Sequence, residues 1–284
     1  MDIDHLNEWI GRTEASDDVA SVGPVSRLAA MLNAPEDRWE LGDDLPPLWH
    51  WLYFLPDADQ TDIGEDGHPK RGDFLPPISL QRRMFAGGRV RFIRPIRLGH
   101  ELRRVSRIES IEHKKGRHGD LIFVKVRNEI RADDELSLVE VQNLVYIDSK
   151  GSGPYHVAGS KSLPSTTWRW SIDPTPTLLF RYSALTFNAH RIHYDRPYAT
   201  TIEGYPGLVV QGPLIATLMM EMVRREESRK VVSLDYQIRL PLFDDGPVTI
   251  LGTKESDAVG LEAYDHKGRL GVSGSAGLRP VGGR

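Results

Sequence analysis

The chain has no cysteine among its 284 residues, which excludes disulfides, thiolate metal sites and a thiol nucleophile. No apolar run approaches the ~18 residues of a membrane span. Neither charge dominates: 36 Lys and Arg stand against 40 Asp and Glu, a formal net charge of −4, which argues against a general nucleic-acid binder. The start, Met1-Asp2-Ile3-Asp4-His5, is acidic and lacks the basic-then-apolar pattern of a secretory signal. A cytoplasmic protein without nucleic-acid or membrane partners is the expectation. Hydrophobic residues make up 39% of the chain, enough to fill the core of one large domain or two modest ones.

The pattern suggests one plan used twice. Residues 18 to 33 read as a helix through Val25, Leu28, Ala29 and Leu32, followed by the apolar run Leu45 to Leu55. Residues 57 to 77 are polar and rich in Gly, Asp and Pro, a long loop. Strand signals follow at Arg89–Ile93, Leu121–Val126 and Leu138–Tyr146, with turns expected at His113–Gly119 and Ala132–Asp134. From 149 to 176 the chain is rich in Ser, Gly, Pro and Thr and reads as a linker. A helix from about Pro213 to Glu226 comes next. Strands then follow at Leu234–Leu240, Val248–Thr253, Gly260–Tyr264 and Leu270–Leu278, with a turn at Asp265–Gly268. The boundaries are therefore an N-terminal domain over 1–150, a linker over 151–176 and a C-terminal domain over 177–284. A single α+β domain without a repeat is the alternative. The helix from Pro213 carries Leu214, Ile215, Ala216, Leu218, Met219, Met220, Met222 and Val223 nearly all round, the mark of a buried helix.

Most of the chemistry lies in Phe187-Asn188-Ala189-His190-Arg191-Ile192-His193-Tyr194-Asp195 and in Gln211-Gly212-Pro213-Leu214, 18 residues beyond His193. Histidine moves protons near neutral pH. The helix opened by Gly212-Pro213 offers free N–H groups and a positive dipole to a developing oxyanion. The simpler reading of Gly-Pro is a plain helix start. Asn188 can orient a water but cannot take a proton; Asp195 can, although it also suits a turn or helix cap. His190 and His193 have metal-ligand spacing, yet no third ligand stands out nearby, so no metal and no cofactor are expected.

These residues resemble the MaoC-type, or hydratase-2, group of hot-dog-fold enzymes. The group's motif is Asp-x-Asn-Pro-Leu-His, with a later glycine supplying an oxyanion-hole N–H. Asn188 takes the Asp position, His190 the Asn position, His193 the catalytic His and Gly212 the glycine. The segments Phe187–Asp195, Gly204–Val210 and Gly212–Leu214 are closer still to one subgroup. That subgroup contains mesaconyl-C4-CoA (3-methylfumaryl-CoA) and itaconyl-CoA hydratases and mitochondrial-type 3-hydroxyacyl thioester dehydratases. In the N-terminal half, Leu45–Trp51 and Arg82–Gly88 carry the likeness, which spans roughly 40 to 280.

The resemblance implies an α+β double hot dog, two antiparallel sheets each wrapped around a central helix. Its N-terminal half binds substrate and has lost the catalytic residues, and sheets that extend across subunits imply a homodimer. It implies reversible hydration of a 2,3-unsaturated acyl-CoA, a short branched dicarboxylic one such as mesaconyl-C4-CoA or itaconyl-CoA giving citramalyl-CoA. His193 acts as base, Asn188 positions the water, Gly212 stabilises the oxyanion, and Asp195 or His190 is the reserve proton-transfer group. A substrate carboxylate or CoA phosphate calls for arginine, with Arg82, Arg83, Arg181 and Arg191 as candidates. His190, Tyr194 and Gln211 complete the substrate-binding set. A dehydratase acting on acyl carrier protein and a non-catalytic thioester-binding subunit are the alternatives.

Overall fold

The computed structural model describes residues 3–34, 38–116, 119–147 and 162–280. Its strands are β1 (Thr13–Val19), β2 (Arg82–Phe92), β3 (Glu101–Gly116), β4 (Gly119–Ala132), β5 (Glu135–Ile147), β6 (Trp168–Ile172), β7 (Val231–Ile238), β8 (Val248–Lys254), β9 (Ala258–Tyr264) and β10 (Leu270–Leu278). They form one antiparallel sheet in the order β1-β3-β4-β5-β2-β7-β10-β9-β8-β6. The two sheets expected from the repeat are thus continuous. Pairing of Gly87–Arg91 with Ser233–Gln237 joins them across β2 and β7. Strand formation follows from alternation: Ile122, Val124, Val126 and Ile130 of β4 are buried every second residue. The β4–β5 hairpin turns on Asp133 and Asp134, both at positive φ, as a two-residue hairpin loop demands.

The helices are α1 (Ile3–Asn7), α2 (Val22–Met31), α3 (Pro176–Leu185) and α4 (Gly212–Glu226). Every residue from Leu214 to Val223 is buried, and α4 packs on β8, β9 and β10, as its apolar circumference foretells. Its one buried carboxylate, Glu221, is held by Arg224 at 2.8 Å and Arg225 at 2.7 Å. The α2 helix packs on α3 and on the short 3-10 turn Trp49–Leu52, and its buried residues share one core with those of α4. Among the described residues no helix is long and apolar enough to cross a membrane.

Several local expectations change. Residues 18 and 19 belong to β1, so the helix is shorter than 18–33. His113–Gly116 continue β3 because each finds a partner on β4, while Arg117 and His118 lie outside the described residues. Of the stretch 149–176, residues up to 161 lie outside the description. Trp168–Ile172 form β6 against β8, and Pro176 begins α3, capped by the Thr175 hydroxyl accepting from Leu178 N at 3.2 Å. Burial of Trp168 and Trp170 against the core outweighs the turn-rich composition around them.

The seam between the halves positions the site. Only the second part of β2 pairs with β7; Arg82–Phe85 pair with β5 alone, beyond a bulge between Phe85 and Gly87. The N-terminus of α4 lies at this divergence, with Ile238 and Phe85 beside Gly212.

Candidate active site

The candidate segment, residues 187–195, leaves α3 through Phe187, which sits at φ 47°, an uncommon conformation for a bulky residue. The turn is tied back by Asn188 N donating to Ser183 O at 2.8 Å, and Asn188 Oδ1 accepts from His190 N at 3.1 Å. Gln211, fully buried at the start of α4, donates through Nε2 to Leu179 O and Ser183 Oγ, both at 2.9 Å. The end of α3 therefore anchors both the candidate segment and the beginning of α4.

His193 lies in a 3-10 turn, Arg191–His193, and is buried. Its Nδ1 is 2.7 Å from Val209 O, an atom that only accepts, so Nδ1 carries the proton and Nε2 the free lone pair. Val209 N in turn donates to Ile192 O at 2.9 Å, holding the backbone on both sides of the ring. Burial lowers the His193 pKa to about 4, partly offset by the Val209 bond, with His68 pushing it further down. The ring is neutral at physiological pH and ready to accept a proton. Val209 is three residues before Gly212, so ring anchor and helix start are within about 10 Å of each other along the chain. The first N–H groups of α4 have no intrahelical partner. A Cβ on Gly212 would meet Ile238 Cδ1 at 2.2 Å, so a larger residue here requires the end of that side chain or the helix start to shift.

His190 lies edge-on to His193, ring centroids 5.3 Å apart, and against His68 at 4.1 Å. Burial, then the neighbouring His68 and His193, hold its pKa far below the usual histidine range. His68 comes from the long loop of the N-terminal half, as does Asp66, whose Oδ2 is 3.0 Å from His68 Nδ1. The positive charge of Arg83 acts on His68 and His190 and disfavours their protonation, while Arg71 lies over the Tyr146 ring at 5.0 Å. Among the described residues no carboxylate pairs with Arg83. The Arg71 guanidinium donates to the carbonyls of Ile78, Leu80 and Gln81 and so braces the loop.

Of the residues marked from sequence, the structure brings together His190, His193 and Asn188, and ties them to Gln211 and Gly212 through Ser183 and Val209. The others have different surroundings. Asp195 accepts from Arg191 Nε at 3.0 Å and Nη2 at 2.8 Å and caps Tyr198 N at 3.1 Å. Arg191 also donates to Glu65 O and lies over the Tyr198 ring at 4.0 Å. Tyr194 is exposed, its hydroxyl donating to Ala189 O. Arg82 is buried against Glu203, 2.6 Å away, and over Tyr205. Arg181 is exposed on α3. Asp66, His68 and Arg71 carried no sequence signal beyond membership of an unusually long loop, itself a functional hint.

A family model for hydroxyacyl-thioester dehydratase type 2 matches residues 48–244. The chain is 44% identical over 270 residues to a mesaconyl-C(4)-CoA hydratase of Chloroflexus aurantiacus, covering 95% of this chain and 96% of that one. It is 30% identical over 237 residues to a mitochondrial hydroxyacyl-thioester dehydratase type 2 of Schizosaccharomyces pombe, covering 72% and 77%. Its fold is shared with the crystal structure of a MaoC-like dehydratase from Phytophthora capsici, at a TM-score of 0.68 and 14% identity, over 99% and 100% of the chains.

Proposed function

The chain belongs to the hydroxyacyl-thioester dehydratase type 2 family, and from that premise we propose that it is a hydro-lyase adding water to a 2,3-unsaturated acyl-CoA. The supporting observation is a neutral, buried His193 with its Nε2 free, beside the open N-terminus of a buried helix. In hydration, His193 Nε2 takes a proton from water as the oxygen bonds the β-carbon. The alkene electron pair moves toward the thioester oxygen, where the Gly212 N–H receives the developing charge. Loss of one such donor costs about 10²–10³ in rate, and loss of a general base about 10²–10⁴. Asn188, whose Oδ1 already accepts from His190 N, orients the segment and presents its amide toward the water.

The acyl group is read as short, branched and dicarboxylic, mesaconyl-C4-CoA or itaconyl-CoA giving citramalyl-CoA. Identity over nearly the whole length of the Chloroflexus hydratase supports this, and so does Arg83, a cation beside the imidazoles without a carboxylate of its own. The wall from Gly212 through Phe85, Tyr236 and Trp51 supplies aromatic surface for the acyl chain, with ring centroids 6.1 and 6.4 Å apart. Likeness to the yeast dehydratase favours the alternative, a 3-hydroxyacyl dehydratase acting on acyl carrier protein. The sheet is read as two hot-dog halves, 1–150 and 177–284, joined by 151–176. A homodimer follows from that fold, measurable by light scattering.

The test is a panel of enoyl thioesters, branched and linear, with and without a terminal carboxylate, followed by loss of enone absorbance. Hydration of mesaconyl-C4-CoA or itaconyl-CoA in preference to crotonyl-CoA is expected. Arg83→Ala raises KM for the dicarboxylic substrates about tenfold or more, as the loss of one charge-assisted pair implies, and leaves crotonyl-CoA unchanged. Preference for long linear acyl groups on carrier protein selects the alternative. No turnover of any member points to a thioester-binding subunit.

A further inference from the structure

Hydration consumes a proton at the α-carbon as well as releasing one from water. Asn188 cannot carry either, and Asp195 is engaged with Arg191 and the Tyr198 backbone. We propose that Asp66 and His68 form a carboxylate–imidazole pair that exchanges the proton at the substrate α-carbon, so that the N-terminal half supplies a second catalytic group. The inference rests on the hydro-lyase reading.

Three contacts seat the pair against the catalytic segment. Arg191 N donates to Asp66 O at 2.9 Å, and Arg191 Nη1 donates to Glu65 O at 3.1 Å. Between Asp66 and His68, Gly67 adopts φ 90° and approaches Ala189 so closely that a Cβ would stand 1.9 Å from the Ala189 carbonyl oxygen. The loop is built to meet residues 189–191.

The pair is also oriented. Asp66 Oδ1 accepts from His68 N at 2.9 Å, and Asp66 Oδ2 accepts from His68 Nδ1–H at 3.0 Å. His68 is left with Nε2 free, the same arrangement that Val209 O imposes on His193. Two imidazoles anchored through Nδ1 thus flank His190, with centroids 4.1 and 5.3 Å away. Three crowded imidazoles repel a second positive charge, so the cluster carries one proton at a time. The seat beside the Asp66 carboxylate favours it.

The atoms balance. Water gives hydroxide to the β-carbon and a proton to His193 Nε2. In the same step the displaced electron pair forms the α-carbon–hydrogen bond with the proton of the His68 imidazolium, so the cluster never holds two excess protons. His193 returns its proton to His68, resetting both rings. In dehydration the steps reverse. Burial first, then Arg83 and Arg71, lower the His68 pKa to about 4 against the opposing pull of Asp66. A substrate carboxylate on Arg83 cancels part of that positive field, so a dicarboxylic substrate helps protonate His68.

A bound cation is the competing use of these atoms, since one ligand atom each from Asp66, His68 and His190 falls within 4.8 Å of the others. Two neighbouring guanidinium groups oppose it, and the carboxylate is already filled by the His68 ring and backbone.

The experiment compares His68→Gln and Asp66→Asn with the parent protein. His68→Gln is expected to lower kcat about 10²–10⁴-fold with KM within threefold, and to stop solvent deuterium exchange at the product α-carbon. Asp66→Asn lowers kcat less and shifts the alkaline limb of the hydration kcat profile to lower pH, because His68 must be protonated to donate. Unchanged kcat and exchange in His68→Gln overturn the proposal, as does activity removed by a chelator and restored by a divalent cation. A readout independent of turnover separates this pair from the hydro-lyase reading. In ¹⁵N-histidine NMR, His68 should be the Nδ1–H tautomer, and Asp66→Asn should weaken that preference. A His68 found as the Nε2–H tautomer overturns the pair even in a fully active enzyme. The expected tautomer in a protein that hydrates nothing leaves the pair standing and removes the activity assigned to it.

Discussion

Replacing Gly212 by alanine isolates the oxyanion site. The added methyl would stand 2.2 Å from Ile238 Cδ1 and 3.4 Å from its Cγ1. Ordinary carbon contacts are about 3.5–4.0 Å, so relief requires a displacement of about 1.3 Å or more. Either the end of the Ile238 side chain swings away or the first turn of α4 retreats. Ile238 is packed against the core, which resists the first route. A retreat of about 1 Å misplaces the N–H and costs on the order of 10² in rate, close to losing the donor outright. Gly212→Ala is therefore expected to lower kcat about 10²-fold with little change in KM. Ile238→Val removes Cδ1 and leaves the nearest atom at 3.4 Å, a contact that a small shift absorbs. The double variant should recover at least about tenfold of the lost kcat, while Ile238→Val alone costs about 1 kcal/mol of stability. Enone absorbance at saturating substrate, with thermal melting of all four proteins, gives the complete double-mutant cycle. Full kcat in Gly212→Ala, or strictly additive effects, would refute both the close approach and the role given to this N–H.

Two further outcomes follow from the site. Burial holds His193 at about 4 in the folded protein, against about 6.5 unfolded, so the unfolded chain binds the proton first as pH falls. The native advantage of the neutral ring is complete above pH ~6.5 and is lost down to pH ~4, a span worth about 3 kcal/mol. Urea unfolding at pH 7.5 and 4.5 should show a smaller difference in His193→Asn than in the parent, and equal differences would contradict the assignment. Asp195→Asn tests the reserve base: its carboxylate caps Tyr198 and pairs with Arg191, which lowers its pKa. The variant should melt earlier yet keep kcat within about threefold, since capping and ion pairing are structural contributions; a loss of 10² or more would return Asp195 to the chemistry.

Local patterns carried the C-terminal part of the site. The α4 helix is legible because Leu214 to Val223 are apolar nearly all round, with Gly212 at its start and His193 in a compact motif 19 residues before it. The strands β4, β5 and β8–β10 alternate visibly. By contrast, β1 is Thr-Glu-Ala-Ser-Asp-Asp-Val, mostly exposed at the sheet edge, and nothing in its own residues requires a strand. Its pairing with β3, including Asp17 with Arg103 at 2.9 Å, makes it one. Similarly, β6 and α3 hide in a Pro- and Thr-rich stretch until β8 and the Thr175 cap define them.

By itself the sequence determined the buried helix, the alternation of most strands and the likeness to a thioester hydratase family, and it singled out His193, Asn188 and Gly212 as candidates for the site. Each of these depends on residues close together in the chain, where propensity, periodicity and spacing act directly. Only the tertiary structure decided that the halves share one sheet, that Arg82 and Asp195 are engaged in internal ion pairs, and that Asp66 and His68 meet His190. Apart from the Asp195–Arg191 pair, four residues apart, those outcomes depend on contacts between residues more than a hundred positions apart, such as Arg191 with Glu65 and Arg82 with Glu203. No local preference encodes such contacts, because the free energy that selects them arises only when distant surfaces close on each other.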